Sequence, residues 1–142
     1  MKWGLPIVVL SLLAAASSLD GMAFPQRGAS QCRATRRNVT EQALPGEPAR
    51  NITLMEVTYP PGEGSPPHVH ANGVMAFVVS GTIASKVGEE PERVFHAGDA
   101  WWEPPGAIHR VSRNASHVEA ARLLAIYIAP KGATGAELMK PL

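Results

Sequence analysis

The sequence predicts a single all-β domain, and three observations lead to that prediction. Its 142 residues are enough for one domain and hardly for two. The 13 prolines and 13 glycines indicate many turns. Between the turns lie roughly seven short β-prone segments, punctuated every ~8–12 residues, which is typical of a sandwich or barrel.

The first 23 residues have the order of a secretory signal peptide and are set apart from the fold. Met1-Lys2 is a short basic start, residues 3–13 are nearly all apolar, and small residues follow at 14–18. A bilayer span takes roughly 20 apolar residues, so this run is short for one. We expect cleavage between Ala16 and Ala23 and a secreted product, extracellular or periplasmic, with no membrane attachment afterwards. An uncleaved anchor or a buried helix is the alternative.

Residues 24–50 are polar, carry Pro, Gly and Arg, and show no periodicity. We interpret them as an N-terminal arm with room for one edge strand. Cys32 is the only cysteine, so no internal disulfide is expected. An inert thiol in the arm is the simpler reading of Cys32, and a free reactive thiol or an intermolecular bridge is the alternative.

The predicted barrel occupies residues 51–130, and each of its strands stops at a turn signal. Those signals include Pro60-Pro61-Gly62, Ser80-Gly81, Ala97-Gly98-Asp99 and Pro104-Pro105-Gly106. The predicted strands are 52–59, 74–79, 82–87, 93–95, 100–103, 108–112 and 122–129. A C-terminal tail, residues 131–142, follows with one turn of helix expected at 136–139.

Three histidines are the candidate metal ligands: His68, His70 and His109. Residues two apart on a strand point to the same face, so His68 and His70 could meet one ion. His109 follows a Pro-Pro-Gly turn at the start of another strand and supplies the third imidazole. Neutral imidazoles suit Fe, Mn, Co, Ni, Cu or Zn, so one divalent transition metal is expected without its identity.

Two stretches carry a family resemblance. Gly62, five further residues, His68-Val69-His70 and the closing Gly81 resemble the first cupin motif. Gly98-Asp99, four further residues and Pro104-Pro105-Gly106-Ala107-Ile108-His109 resemble the second. The resemblance covers residues 51–129. It implies a cupin-type double-stranded β-helix, a jelly-roll barrel, with the metal held inside by residues of both motifs.

The sequence departs from the cupin pattern at two positions. Cupins usually carry a glutamate ligand six residues before the closing glycine, and Val74 stands there. The usual asparagine four residues after the second-motif histidine is replaced by Arg113, and Asn114 follows it. The resemblance then implies a three-histidine site with an open side, whose neutral ligands favour anionic substrates such as enolates or phenolates. A metal-free ligand pocket is the alternative.

Glu103 is the candidate catalytic residue, as an acid/base group or a further metal ligand. In the family pattern residues 101 and 103 face inward, and an unpaired carboxylate inside an apolar barrel is costly. The alternative places Glu103 in water at the barrel mouth or against Arg110. His96 and His117 are expected to be exposed and not to bind metal. The aromatic residues of the strands, Phe77, Trp101 and Tyr127, are expected in the core or lining the pocket.

The function expected from the resemblance is that of a secreted, metal-dependent, dioxygenase-like oxidoreductase. Its substrate is expected to be a small organic metabolite of aromatic or polyketide type. A non-enzymatic small-molecule binding module and a metal-assisted isomerase or cyclase are the alternatives. The net charge of +1 indicates no nucleic-acid partner, and a homodimer is expected if the arm crosses to a second copy. Asn38, Asn51 and Asn114 head N-x-S/T sequons, which matter only in a eukaryotic secretory path.

Overall fold

A computed structural model of the protein describes residues 33–142 and contains eleven strands and one short helix in that range. The expected signal peptide, the start of the arm and Cys32 lie outside the described residues. The elements are β1 Thr35–Leu44, β2 Glu47–Tyr59, β3 Gly64–Ser65, β4 His68–Val69, β5 Val74–Ser80, β6 Thr82–Val87, β7 Arg93–His96, β8 Ala100–Glu103, β9 Ile108–Asn114, β10 Ala121–Pro130, α1 Gly135–Leu138 and β11 Lys140–Pro141. No helix within residues 33–142 is long and apolar enough to cross a membrane.

The strands form two antiparallel sheets that face each other. One has five strands in the order β1-β2-β10-β5-β8. The other has the order β11-β4-β9-β6-β7, with β3 added along β9. Strands adjacent in the chain are mostly not adjacent in the sheets, as expected for a jelly roll. The predicted fold class, an all-β jelly-roll barrel, is confirmed.

The core lies between the two sheets because apolar residues alternate along the strands. In β10 every second residue from Ala121 to Ala129 is buried, and in β5 Val74, Ala76 and Val78 are buried. Met75 and Phe77, between them, point outward. Successive side chains of a strand point to opposite faces, so the same strands supply the barrel interior and an outer surface. The expectation that Phe77 belongs to the core or the pocket is therefore wrong.

All seven predicted strands are present, with close bounds, but the sheet extends further toward the N-terminus than predicted. β2 begins at Glu47, and β1 pairs with it as an edge strand over residues expected to form an arm. Nearly every residue of β1 is exposed, so it leaves no alternating hydrophobic pattern to find in the sequence. The edge strand allowed for in residues 24–50 is present as β1, and β2 begins at Glu47, before the predicted start of the barrel at residue 51.

The C-terminal tail is also part of the barrel. α1 forms one helical turn at Gly135–Leu138, shifted by one residue from the predicted turn, and buries Leu138 in the core. β11 then pairs with β4, placing Lys140 beside Val69 and Pro141 beside His68. The tail therefore packs directly against the strand that carries His68 and leads into His70.

Candidate metal centre

Four side chains meet inside the barrel: His68, His70, Glu103 and His109. Each offers one ligand atom, and these atoms all lie within 4.8 Å of one another. All four residues are buried, with exposed fractions of 3%, 5%, 3% and 2%. The structure thus brings together every residue predicted for the site. Glu103 reaches the histidines, so the candidate ligand set carries a negative charge and is not the neutral three-histidine set expected from Val74.

Strand register explains how residues distant in the sequence converge. His68 on β4 and His109 on β9 are direct cross-strand partners, with ring centroids 4.9 Å apart. Paired residues on neighbouring strands point to the same face, so both imidazoles enter the barrel. Glu103 ends β8 in the facing sheet, with its carboxylate oxygen 2.8 Å from Nδ1 of His109 and 3.4 Å from Nε2 of His70.

Two glycine turns hold the loops of the site together. The carbonyl oxygen of His70 accepts hydrogen bonds from the N–H of Gly73 at 3.3 Å and from the N–H of Gly106 at 2.8 Å. Gly73 has φ of +73°, and a Cβ there would lie 2.7 Å from the Trp102 ring, so only glycine fits the turn. One carbonyl therefore joins the turn after His70 to the Pro-Pro-Gly turn that leads to His109.

Backbone acceptors fix the protonation of two of the imidazoles. Nδ1 of His68 lies 2.7 Å from the Pro66 carbonyl oxygen, and Nδ1 of His70 lies 2.5 Å from the Leu138 carbonyl oxygen. A carbonyl only accepts, so each Nδ1 carries the proton and each Nε2 presents a lone pair. Nε2 of His109 lies 2.8 Å from Ser85 Oγ, and with the proton on that Nε2, Nδ1 faces Glu103 as a lone pair.

The lone pairs of the four side chains face one another, and this arrangement indicates whether a metal ion fits between them. Nε2 of His68 and Nε2 of His70 are 3.1 Å apart, although neither carries a proton when each ring is protonated at Nδ1. Nδ1 of His109 and Oε2 of Glu103 are buried, close to each other, and form no properly directed hydrogen bond. With these tautomers four acceptors converge on one point, and a cation between them would satisfy all four. The residues therefore fit a metal ion, and the backbone and Ser85 contacts are the outer partners that orient metal-bound imidazoles.

The ionisation of the site suits metal binding at neutral pH. Burial lowers the pKa of His68 from 6.5 to about 4, although the bond to the Pro66 carbonyl opposes this. Burial also lowers the pKa of His70. For Glu103, burial raises the pKa, but the close contact with His109, the charges of His109 and His70 when these are protonated, and the Trp101 indole N–H outweigh burial and hold the pKa below its ordinary value. Neutral imidazoles and an ionised carboxylate are the forms that coordinate metals.

A small cavity adjoins the four ligands. It has a volume of about 30 Å³, room for about two water-sized ligands. Val57, Val74, Ala76, Leu123 and Ala125 form its apolar wall. Its polar and aromatic lining includes Arg36, Tyr59, Ser65, Trp101, Ser112 and Tyr127. An ion at the site would thus have open positions facing an enclosed space.

Three other residues considered from the sequence, His96, His117 and Arg110, do not belong to the group of four. His96 is exposed, with 69% of its side chain accessible, and pairs with Asp99, while His117 is exposed in a loop. Neither belongs to the group of four ligands, as predicted. Arg110 pairs with Glu89 and not with Glu103, so the alternative placement of Glu103 is wrong.

Two aromatic residues belong to the site. Tyr127 lines the cavity. Trp101 donates its indole N–H to Glu103 Oε1 at 2.9 Å, holding the carboxylate in place.

Sequence reasoning missed the outer partners: the serine beside His109, the carbonyl beside His70, and Arg36. The sequence contains no signal for these groups, because one is a backbone carbonyl and the others are side chains of ordinary strand residues.

Comparison with known proteins identifies the class of protein that has this fold and this site. The Cupin domain family matches residues 55–127. The chain belongs to the cupin family. No curated protein matches it in sequence.

Three solved structures illustrate the similarity. The protein TT1209 from Thermus thermophilus is 27% identical, with a TM-score of 0.56 over 69% of this chain and 84% of that one. An uncharacterized conserved protein with a double-stranded beta-helix domain from Klebsiella pneumoniae is 24% identical, with a TM-score of 0.55 over 74% and 84%. The DMSP lyase DddQ from Ruegeria pomeroyi is 19% identical, with a TM-score of 0.58 over 72% and 50%. At these identities the last two likenesses show the fold alone.

Proposed function

We propose that this chain is a metal-dependent cupin oxidoreductase that uses O2 to oxidise a small organic molecule. The observation that carries the proposal is the convergence of four buried lone-pair donors beside a small cavity. His68, His70, His109 and Glu103 would hold one divalent transition metal, which supplies Lewis-acid and redox chemistry at its open positions. Three imidazoles and one carboxylate are compatible with iron or manganese as well as with zinc, nickel or copper.

The chain's own residues supply the rest of the site. The four ligand side chains are buried beside an apolar wall, and this limited contact with water strengthens electrostatic interactions between them. Trp101 holds Glu103, and the Pro66 and Leu138 carbonyls hold two imidazoles, so the ligand geometry is set before the metal arrives. Glu103, predicted as the catalytic acid/base, lies among the ligands, and we propose that it acts first as the fourth ligand.

The size of the cavity restricts the substrate. About 30 Å³ does not admit an aromatic ring, so the expectation of an aromatic or polyketide-type substrate is dropped from the proposal. A molecule of a few heavy atoms that chelates the metal through two oxygen atoms is the better match.

Metal analysis followed by oxygen uptake tests the proposal. The purified protein should contain close to one equivalent of a transition metal, and the iron- or manganese-loaded protein should consume O2 with a panel of small hydroxy and oxo compounds. His109→Ala should lose both the metal and the activity, and His96→Ala, whose imidazole is exposed, is the matched control. A metal-loaded protein that consumes no O2 with any member of the panel would overturn the oxidoreductase proposal in favour of the binding module.

Localisation and assembly belong to the proposal as well. The pattern of the first 23 residues supports secretion, and we propose a mature chain that begins between residues 17 and 24. Sequencing the N-terminus of secreted material tests this, and a retained Met1 would overturn it. We also propose that the chain forms a homodimer and that its other partner is the small-molecule substrate. Sedimentation at micromolar concentration tests the dimer.

A further inference from the structure

Arg36 lies at the mouth of the metal cavity although it comes from the edge strand β1. Its side chain lines the cavity together with the four candidate ligands. Its Nη2 donates to Ser65 Oγ at 2.6 Å and contacts Met139 Sδ at 3.5 Å. Arg36 is exposed, so its guanidinium lies between β3 and the C-terminal segment at the solvent-facing end of the cavity.

The charge of Arg36 has no carboxylate partner within residues 33–142. Five other arginines in that range do have one: Arg37 pairs with Glu56, Arg50 with Glu47, Arg110 with Glu89, Arg113 with Glu92, and Arg122 with Glu56. Arg33 and Arg93 also have none within the described residues, but of these three only Arg36 lines the metal cavity. The described residues also provide no acceptor for Nε or Nη1 of Arg36, because both of its contacts use Nη2. An arginine carries five N–H donors in a planar fork, so most of its donors are available to a ligand.

A chain of hydroxyl groups leads from Arg36 into the barrel. Ser65 Oγ, which accepts from Arg36, is 2.7 Å from the Tyr59 hydroxyl, and that hydroxyl is 2.9 Å from Ser112 Oγ. Tyr59 and Ser112 are buried and line the same cavity. A polar part of the cavity lining therefore leads to a positive charge, and the rest of the lining includes apolar residues.

We propose that Arg36, with the hydroxyls of Ser65 and Tyr59, forms a carboxylate-binding subsite, and that the substrate is a small carboxylate that enters from the exposed end of the cavity. This inference rests on the proposed function, because the other end of the substrate would meet the metal. The guanidinium fork matches a carboxylate in two parallel hydrogen bonds. The cavity volume limits the chain length, and the apolar wall disfavours a second charged group.

Binding of glycolate and of its neutral isostere glycolamide tests this subsite without turnover. Each probe can offer its hydroxyl oxygen to the metal, but only glycolate carries a charged carboxylate for Arg36. Titrations use the cobalt(II)-loaded full chain, with calorimetry for affinity and the visible cobalt spectrum for coordination. Wild type should bind glycolate at least tenfold more tightly than glycolamide. Arg36→Gln should remove most of that difference, Arg36→Lys should restore part of it, and Arg37→Gln, which changes the neighbouring outward-facing arginine, should leave it intact.

The outcomes separate this inference from the proposed function. Equal affinities of wild type for the two probes, or an Arg36→Gln protein that still prefers glycolate tenfold, overturns the subsite even if O2 is consumed. Tighter binding of inorganic phosphate than of glycolate overturns its assignment to carboxylates. An Arg36-dependent preference for glycolate in a protein that never consumes O2 supports the subsite and rejects the oxidoreductase. If the chain takes up no cobalt, the titrations are made on the metal-free protein, and the absence of Arg36-dependent glycolate binding there also overturns the inference.

Discussion

Val74 and Glu103 are direct cross-strand partners in the pairing of β5 with β8. Both side chains point into the barrel, and both are buried and line the metal cavity. The position where cupins usually carry a glutamate ligand and the position of the buried glutamate in this chain are therefore neighbours on the same face of one sheet. The carboxylate of Glu103 reaches the histidines from the adjacent strand. The site therefore keeps a negative charge although Val74 stands at the usual glutamate position.

Exchanging the two residues tests whether the carboxylate has moved between strands. We expect Glu103→Val to weaken metal binding by at least tenfold, because Oε2 of Glu103 is 2.8 Å from His109 Nδ1. The double variant Val74→Glu/Glu103→Val returns the carboxylate to the usual strand and should recover part of the lost affinity. Competition with a chromophoric chelator measures both. Val74→Glu alone is the control, and a double variant no better than Glu103→Val would contradict the exchange.

Single replacement of each candidate histidine should lower metal occupancy. His68→Ala, His70→Ala and His109→Ala each remove one of four converging donors, so the occupancy after dialysis should fall to a small fraction of the wild-type value. His96→Ala and His117→Ala remove exposed imidazoles and should leave it unchanged. Elemental analysis gives the occupancy directly. If all five variants retained full occupancy, the metal centre would have to lie elsewhere.

The inner strands and the three histidines could be predicted because their side chains alternate between two environments. β5 and β10 show buried and exposed residues in turn, and His68 and His70 keep that spacing into the cavity. β1 could not be predicted, since it is exposed on both faces and exists only through pairing with β2. An edge strand of this kind has no hydrophobic signal of its own.

The outer partners of the site could not be predicted for a different reason. The carbonyl of Leu138 fixes His70 from 68 residues away along the chain, and a backbone atom leaves no trace in the sequence. The family pattern predicts that Glu103 faces inward, but its contact with His109 depends on how the two sheets approach each other. Arg36 belongs to a segment predicted to lie outside the barrel, so nothing in the sequence connects it with the cavity.

Removing the C-terminal segment should damage the metal site more than the fold of the sheets. Deletion of residues 134–142 removes the Leu138 carbonyl that orients His70 and the β11 pairing along β4. Loss of an outer partner typically costs about 10–100-fold in metal affinity, and we expect a loss of at least that size. The control is Ser80→Ala, which alters a hydroxyl bonded to Arg122 away from the site. A truncated chain with wild-type metal affinity would show that the tail does not position the ligands.

The stability of the metal-free protein should fall as the pH decreases through the histidine range. Burial lowers the pKa of His68 from 6.5 to about 4 and also lowers that of His70. Between those two pH values the unfolded chain binds more protons than the folded one, so acidification favours unfolding. Above pH 6.5 the imidazoles are neutral in both states and the contribution is constant. The lowered pKa of Glu103 gives a further loss only below the ordinary carboxyl range.

Urea unfolding in the presence of a chelator measures this dependence. The midpoint should decrease from pH 7 to pH 4.5, and His68→Gln should reduce the decrease because it removes one of the titrating groups. His117→Gln is the control, since its imidazole is exposed in a loop. Midpoints that do not change over this range would show that His68 and His70 are not held neutral by burial.

The three sequons should behave differently if the chain passes through a eukaryotic secretory path. Asn38 is exposed on the edge strand β1. Asn51 is buried, and its amide nitrogen donates to Glu41. Asn114 is fully buried, and its amide nitrogen donates to the carbonyls of Tyr59, Pro60 and Glu119 at 3.2, 3.1 and 2.6 Å. A glycan on either buried nitrogen would remove these bonds and displace the packed side chain, so folded secreted protein should carry a glycan at Asn38 only.

Mass spectrometry before and after glycosidase treatment locates the glycan, and Asn38→Gln should abolish the mass difference while Asn51→Gln should not. Native secreted protein with a glycan at Asn114 would contradict the buried position of that amide.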